Sequence, residues 1–242
     1  MKRGITALLA LLLLLAVTAW AEDEPAPIEP DAADAIVVQA SCSIVPSGEY
    51  YLVYCFAQVH NPTDKVLCLD RGMLQLRNGE QSLATQSISQ LWPYFLNPGQ
   101  DGYFFDIVPF EPNEDGVVVP TVTGIEYFAE YMTVDAQFAG IPLGCEARIE
   151  RDPLDGALYA VCEVSNPLDE PAYDPSICFG LYTDNGTMIY ADGMTAQGIG
   201  VPAGGTTLVR FSVDEFFVGQ WESYGVSAAQ IQAQAICRKD AD

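Results

Sequence analysis

Several runs of the chain alternate apolar and polar side chains residue by residue. Cys145, Ala147 and Ile149 alternate with Glu146, Arg148 and Glu150; Leu158, Ala160, Cys162 and Val164 alternate with Tyr159, Glu163 and Ser165. Ala229, Ile231, Ala233 and Ala235 likewise oppose Gln230, Gln232 and Gln234. A period of two gives a strand one buried face, so these runs predict strands. Turn signals separate them at short intervals: Ser47-Gly48, Asn61-Pro62, Asn78-Gly79, Pro98-Gly99, Asp155-Gly156, Asn166-Pro167 and Asn185-Gly186. Beyond residue 21 no stretch longer than two turns keeps a helical period. The nearest is Ser223 to Ala235, where the alternation favours strand. Many short strands with Gly, Pro and Asn between them predict an all-β chain of antiparallel sandwiches.

The same order of features occurs twice. Cys42, then YYLVYCFAQVHNP with Cys55 and Asn61-Pro62, then LQLRNG and LNPGQDGYFFDI, is followed by Cys145, LYAVCEVSNP with Cys162 and Asn166-Pro167, LYTDNG and VPAGGTTLVRFSV. The near-constant spacing predicts two tandem copies of one module, 35–139 and 140–242, each of a common domain size. Strands ending in Asn-Pro, then Phe179-Gly180-Leu181-Tyr182-Thr183-Asp184-Asn185-Gly186, then a Pro/Gly turn into an aromatic strand, resemble the FxLYD domains of secreted bacterial proteins, which are similar in outline to telokin-like extracellular domains. The likeness covers about residues 50–110 and 157–213. Thr183 stands where the family has Asp, and the first copy keeps only Leu74-x-Leu76 with Arg77-Asn78-Gly79. The resemblance implies two tandem immunoglobulin-like β-sandwich modules outside the cell and carries no catalytic residues with it.

The N-terminus adds an address. Lys2 and Arg3 precede an apolar run from Ile5 to Trp20 that ends in Ala19-Trp20-Ala21, the pattern of a secretory signal peptide (1–21) cut after Ala21. The alternative is a retained anchor, for which the run is short against the roughly 20 residues a span needs. Residues 22–34, EDEPAPIEPDAAD, read as an acidic Pro-rich spacer. The mature chain is therefore expected in the secreted, extracellular space, without membrane insertion.

Composition narrows the chemistry. The chain has 242 residues, 33 acidic against 10 basic, a net charge of −23 and half its residues hydrophobic. It can bury a core, while so few cations argue against a nucleic-acid partner. Losing Lys2 and Arg3 makes the balance more negative still, and the excess reads as solubility and mutual repulsion rather than as a sign of a cationic partner.

Seven cysteines in a secreted chain permit disulfides but leave one over. A hairpin register pairing Cys42 with Cys55 sets Ile44 opposite Val53 and Pro46 opposite Tyr51. Pairing Cys145 with Cys162 sets Ala147 opposite Ala160 and Ile149 opposite Leu158. Each closes a four-residue loop with apolar residues on the sulfur face. Cys178 and Cys237 then form the remaining pair and Cys68 is the unpaired thiol. The rival set is Cys55–Cys68, Cys162–Cys178 and Cys145–Cys237, with Cys42 left over; reduced buried thiols are the third alternative. One His and no CxxC make a zinc site a poor reading, and no metal or cofactor is expected.

No motif assigns catalytic residues. His60 lies at a strand end with no nucleophile pattern nearby and reads as an ordinary turn residue. Glu111-Pro112-Asn113-Glu114-Asp115-Gly116 opens like a calcium loop, but Val122 stands where a bidentate Glu is needed, so it reads as an acidic turn. Asp152, Asp155, Asp169, Glu170, Asp174, Asp184 and Asp192 are loop acids among which no catalytic pair can be chosen. Trp92, Tyr94, Phe95, Trp221 and Tyr224 are the candidate ligand contacts. Tyr54 and Phe56 fall opposite Val53, Cys55 and Ala57; they either present an outward aromatic face, cover a junction between the copies or are buried by the second sheet. The expected role is non-enzymatic binding of an extracellular protein or glycan, with a glycan module using exposed aromatics and a structural envelope protein as alternatives.

Overall fold

The computed structural model describes residues 36–48, 50–88, 90–110 and 120–238. The expected signal peptide, the acidic spacer and the Glu111–Gly116 turn lie outside the described residues. Strands dominate, with one α-helix among the described residues. In chain order they are β1 Ile36–Ser47, β2 Tyr50–His60, β3 Val66–Asn78, β4 Gln81–Ser87, β5 Leu91–Trp92, β6 Phe95–Leu96, β7 Asp101–Phe110 and β8 Gly124–Val134. There follow β9 Ile141–Arg151, β10 Leu158–Ser165, β11 Ala172–Tyr173, β12 Ser176–Tyr182, β13 Met188–Thr195, β14 Gly200–Val201, β15 Thr206–Val213, α1 Glu215–Ser223 and β16 Gln230–Cys237. Every recorded strand pairing is antiparallel.

The sheets form four successive layers. β3 pairs with β4, β6 and β8 in the first, and β1-β2-β7-β5 is the second. β13-β12-β16 makes the third and β9-β10-β15 the fourth, joined because the first residues of β9 also pair with β16. Period two in β2 explains why the second layer is covered on both faces. Val53, Cys55, Ala57 and Val59 enter a core with Leu67, Leu74, Leu76, Phe104 and Val108. Leu52, Tyr54 and Phe56 enter the other core, with Tyr190 and the α1 residues Phe217 and Trp221. Of the readings open for Tyr54 and Phe56, the structure shows burial in a seam between the N-terminal and C-terminal halves and not an outward face. Phe56 is fully buried there, its ring 5.6 Å from Phe105, 5.2 Å from Tyr190 and 6.0 Å from Phe217.

Small residues let the two faces meet. A Cβ on Gly193 would lie 2.6 Å from Trp92 Cγ, and one on Gly180 would lie 2.7 Å from Tyr103 Cε1. Both positions are glycine because neighbouring rings occupy the space a side chain would need. A chain of polar groups crosses the same seam. Tyr103 and Tyr182 share a hydroxyl contact of 3.2 Å, Tyr182 Oη donates to Gln58 Oε1 at 2.9 Å, and Gln58 Nε2 donates to Asp101 Oδ2 at 3.2 Å. Asp101 Oδ1 in turn lies 2.7 Å from His60 Nδ1.

The two Asn-Pro turns are built alike. Asn61 Nδ2 donates to the carbonyls of Lys65 and Leu96, and its Oδ1 accepts from Thr63 N. Asn166 Nδ2 donates to those of Glu170 and Val201, and its Oδ1 accepts from Leu168 N. The backbone N–H of Asn61 donates to Gln100 O and that of Asn166 to Gly205 O. Every partner in the second set lies 105 residues after its counterpart in the first. Strand orders correspond as well: β1-β2-β7 with β9-β10-β15, and β4-β3-β8 with β13-β12-β16.

The hairpin registers came out differently. Cys42 faces Cys55, Ile44 faces Val53 and Pro46 faces Tyr51 as expected, and the pairing runs one step further to Ser47 and Tyr50. In the other hairpin Cys162 faces Ala147, and Cys145 faces Val164. The expected facing of Cys145 and Cys162 is corrected by two residues, because Cys162 is the counterpart of Ala57: they pair with Val209 and Phe104, 105 residues apart. The loop after Arg151 is six residues long, held by Gly156 N donating to Asp152 O and Asp152 N to Ala157 O. A helix that the periodicity did not predict covers one end of the seam. Asp214 caps α1 by accepting from Phe216 N at 2.8 Å, and Phe217, Val218 and Trp221 are its buried residues.

Buried hydroxyls and thiols give the fold an alkaline limit. Burial pushes the Tyr103, Tyr127, Tyr182 and Tyr190 phenols up, and it pushes the Cys178 thiol up to about 12. The native state favours their neutral forms, so this stabilisation is complete below the unfolded values, about 8.5 for thiols and about 10 for phenols. It is lost as pH rises towards the folded values. The denaturant midpoint at pH 10.5 should therefore fall below that at pH 8; equal midpoints would contradict the assignment.

Candidate functional site: a groove at the seam

Short strands place aromatic residues at the edge of the seam. Leu91 and Trp92 pair with Phe104 and Tyr103 of β7 in the second layer, whereas Phe95 and Leu96 pair with Cys68 and Leu67 of β3 in the first. The segment Trp92-Pro93-Tyr94-Phe95 is thus a corner between layers. Proline cannot donate to a ladder, which suits it to that corner. Trp92 packs against Gly193 across the seam, while Tyr94 stays 56% exposed with its ring 4.8 Å from Phe95. A 3-10 turn, Ala136–Phe138, capped by Asp135, brings Phe138 to 5.7 Å from Phe95. Asn97 fixes the end of that connection, its side chain bonding both the N–H and the carbonyl of Gly140.

The opposite wall comes from the C-terminal half. Tyr173 pairs with Gly200 and is exposed; Asp174 adopts φ +48° and accepts from Gly198 N at 2.6 Å. Between the walls lies a groove of about 800 Å³. Trp92, Tyr94, Phe95 and Phe138 line one side, and Tyr173, Glu170, Asp174 and Gln197 the other. This volume is within the usual range of ligand sites. A second hollow of about 440 Å³ lies beside the Asn97–Asp101 turn and Gln232 and Gln234 of β16.

Of the expected contact residues, the fold brings Trp92, Tyr94 and Phe95 into the groove. Trp221 is buried against Phe217 in α1 and is unavailable to a surface ligand; Tyr224, at the end of that helix, is exposed but does not line the groove. Phe138, Tyr173, Glu170, Asp174 and Gln197 were not singled out together, since they come from segments far apart in sequence. His60 is half-buried against Asp101.

Among the described residues no two cysteines stand at disulfide distance. Cys42 and Cys55 are direct cross-strand neighbours. The thiols of Cys145 and Cys162 hydrogen-bond to each other, which lowers the pKa of Cys145 and raises that of Cys162. Cys178 faces Gln234 across β12 and β16 and lies near Gly193 in the seam, whereas Cys237 is at the end of β16 and lines the groove. Cys178 and Cys237 are therefore not opposite each other. Cys68 is buried on β3 and hydrogen-bonds Tyr94, raising the phenol's pKa. Among the described residues no group of three or more His, Cys, Asp or Glu could hold a metal ion, and no helix is long and apolar enough to cross a membrane.

No family model matches the chain, and no curated protein does. Among solved structures it is similar to a red sea bream transglutaminase at 14% identity and a TM-score of 0.21. The match covers 74% of this chain and only 27% of the transglutaminase.

Proposed function

We propose that the chain is a secreted, non-enzymatic binding protein made of two tandem immunoglobulin-like β-sandwich modules, whose ligand site is the groove at their seam. The observation that carries the binding reading is the cluster of Tyr94, Phe138 and Tyr173, three rings about half exposed or more around one groove. Exposed aromatic clusters of this kind mark contact surfaces. The constant spacing of 105 residues between the bonds of the Asn61 and Asn166 turns, together with the matched strand orders, supports descent of the modules from one unit. The resemblance to FxLYD and telokin-like domains agrees with that arrangement. Export follows from the N-terminal pattern, and an oxidising exterior would favour closing Cys42 onto Cys55 first, since they already face each other.

A glycan module fits less well. Sugar stacking wants rings sharing a plane, but Tyr94 stands at 86° to Phe95, and Phe138 is tilted 31° from Phe95. Trp221, Tyr54 and Phe56 are committed to the seam.

The test is a screen of small organic fragments against the isotopically labelled chain. Amide shifts should cluster around Tyr94, Phe138 and Tyr173, and a Tyr94→Ala, Tyr173→Ala double variant should lose them with an unchanged melting temperature. Shifts scattered over the surface, or clustered elsewhere and untouched by the variant, would sink the assignment.

A further inference from the structure

Resting on that reading of the groove, we infer that its occupant is an extended, lysine- or arginine-bearing segment of a partner protein. The cation would be seated between aromatic faces and the carboxylates of Glu170 and Asp174.

The two walls differ in kind. One offers the rings of Trp92, Tyr94, Phe95 and Phe138; the other adds Tyr173 and two carboxylates. Ring faces carry negative potential, and with nearby carboxylates they make a receptor for ammonium or guanidinium groups. The chain already contains one example of the arrangement. Arg210 lies with its guanidinium carbon 3.9 Å from the centre of the Tyr159 ring while a guanidinium nitrogen stands 3.8 Å from Glu150.

The carboxylates of the groove are also unspent. The ion pairs recorded among the described residues use Asp101, Glu126, Glu130, Glu150 and Glu222, and none uses Glu170 or Asp174. Asp174 gives one oxygen to Gly198 N, leaving the other for a ligand. Arg238 also lines the groove, so a cation between the two acids meets two negative charges against one positive. Beyond the groove, a net charge of −23 attracts basic partners and repels acidic ones. The acid excess that reads in the sequence as solubility has a local, directional use here.

Rim geometry selects a protein segment over a compact cation. Tyr94, Phe138 and Tyr173 are 56%, 49% and 63% exposed, and a small molecule on the groove floor would leave them wet. Enclosed small-molecule sites cover most of their ligand, whereas aromatic residues at an open surface are typical of protein interfaces.

Calorimetric titration of the full chain with three probes decides the matter: a short Pro/Arg-rich peptide, the same peptide with Glu replacing Arg, and a linear glucan oligosaccharide. The Arg peptide should bind, more weakly as salt is raised, and about tenfold more weakly to a Glu170→Gln, Asp174→Asn variant that melts like the parent, a difference of about 1.4 kcal/mol. The Glu peptide and the oligosaccharide should not bind. If the oligosaccharide binds, or if the Arg peptide binds the carboxamide variant equally well, the cationic class is wrong while the groove can still be a ligand site. If fragments perturb the groove and the Arg peptide does not, this inference alone falls; if neither perturbs it, both readings fall.

Discussion

Phe56→Ala is expected to destabilise the protein by about 4 kcal/mol and to lower its melting temperature by roughly 10 °C. The ring is fully buried and meets Phe105 from its own sheet, Tyr190 from β13 and Phe217 from α1. Truncation removes the contacts of a large side chain and leaves a cavity that three separate elements would have to close. Because the cavity opens at the seam, the loss has a particular character. Cleavage by a protease between the halves should rise along with the fall in melting temperature. Phe104→Ala is the matched control: its ring is equally buried but stacks on Tyr127 inside the first core, 5.4 Å away. It should cost a similar amount without the selective cleavage. A Phe56→Ala protein that melts within a few degrees of the parent, or is cut no differently from Phe104→Ala, would show that the seam does not hold the halves together.

Asn61→Ala and Asn166→Ala should each cost about 3 kcal/mol, and by similar mechanisms. Each amide is almost fully buried and satisfies one buried carbonyl, that of Leu96 or Val201, along with a half-buried one, while its own oxygen takes a backbone N–H two residues ahead. Removing it strands that buried carbonyl and loosens the half-buried groups, each at about 1 to 3 kcal/mol before relaxation. Asp would be a poor substitute, because it lacks the donating NH₂. Asn61 also reaches Asn97 O and accepts from the Thr63 hydroxyl, so its loss should be the larger of the two. Denaturant titration of the two variants measures this. Losses under about 1 kcal/mol for either, or a clearly greater loss for Asn166, would break the equivalence drawn between the turns.

These asparagines also explain what could and could not be read from the sequence. Period-two alternation with turn signals is enough for an all-β chain, and the Cys42/Cys55 register is legible because β1 and β2 pair without a shift from Gln39 and Gln58 to Ser47 and Tyr50. The second register differs from the expected one because cysteine is a weak marker of register. A cysteine can occupy any small buried position on a strand face, whereas Asn-Pro marks a turn whose hydrogen bonds permit few other residues. Counting from Asn61 and Asn166 aligns Leu74 and Leu76 with Phe179 and Leu181, all fully buried, and sets Cys162 level with Ala57. The helix leaves no clear period in the sequence, since nine residues give Phe217, Val218 and Trp221 too little length to establish one, and Gly219 interrupts them. Half of the groove was legible in the run Trp92-Pro93-Tyr94-Phe95. The other half was not, because Phe138 is brought there by the 3-10 turn that Asp135 caps and Tyr173 by the docking of one half on the other, relations no local pattern records.

The seam has one consequence for how the protein can be studied. Of its three tryptophans, Trp20 falls in the expected leader, and the other two both pack at the junction, Trp92 in the groove wall and Trp221 on the buried face of α1. The two described tryptophans therefore give the seam its own optical label. Quenching or a shift in emission from Trp92 would report occupancy of the groove, and a red shift from Trp221 would report separation of the halves, without any dye or tag.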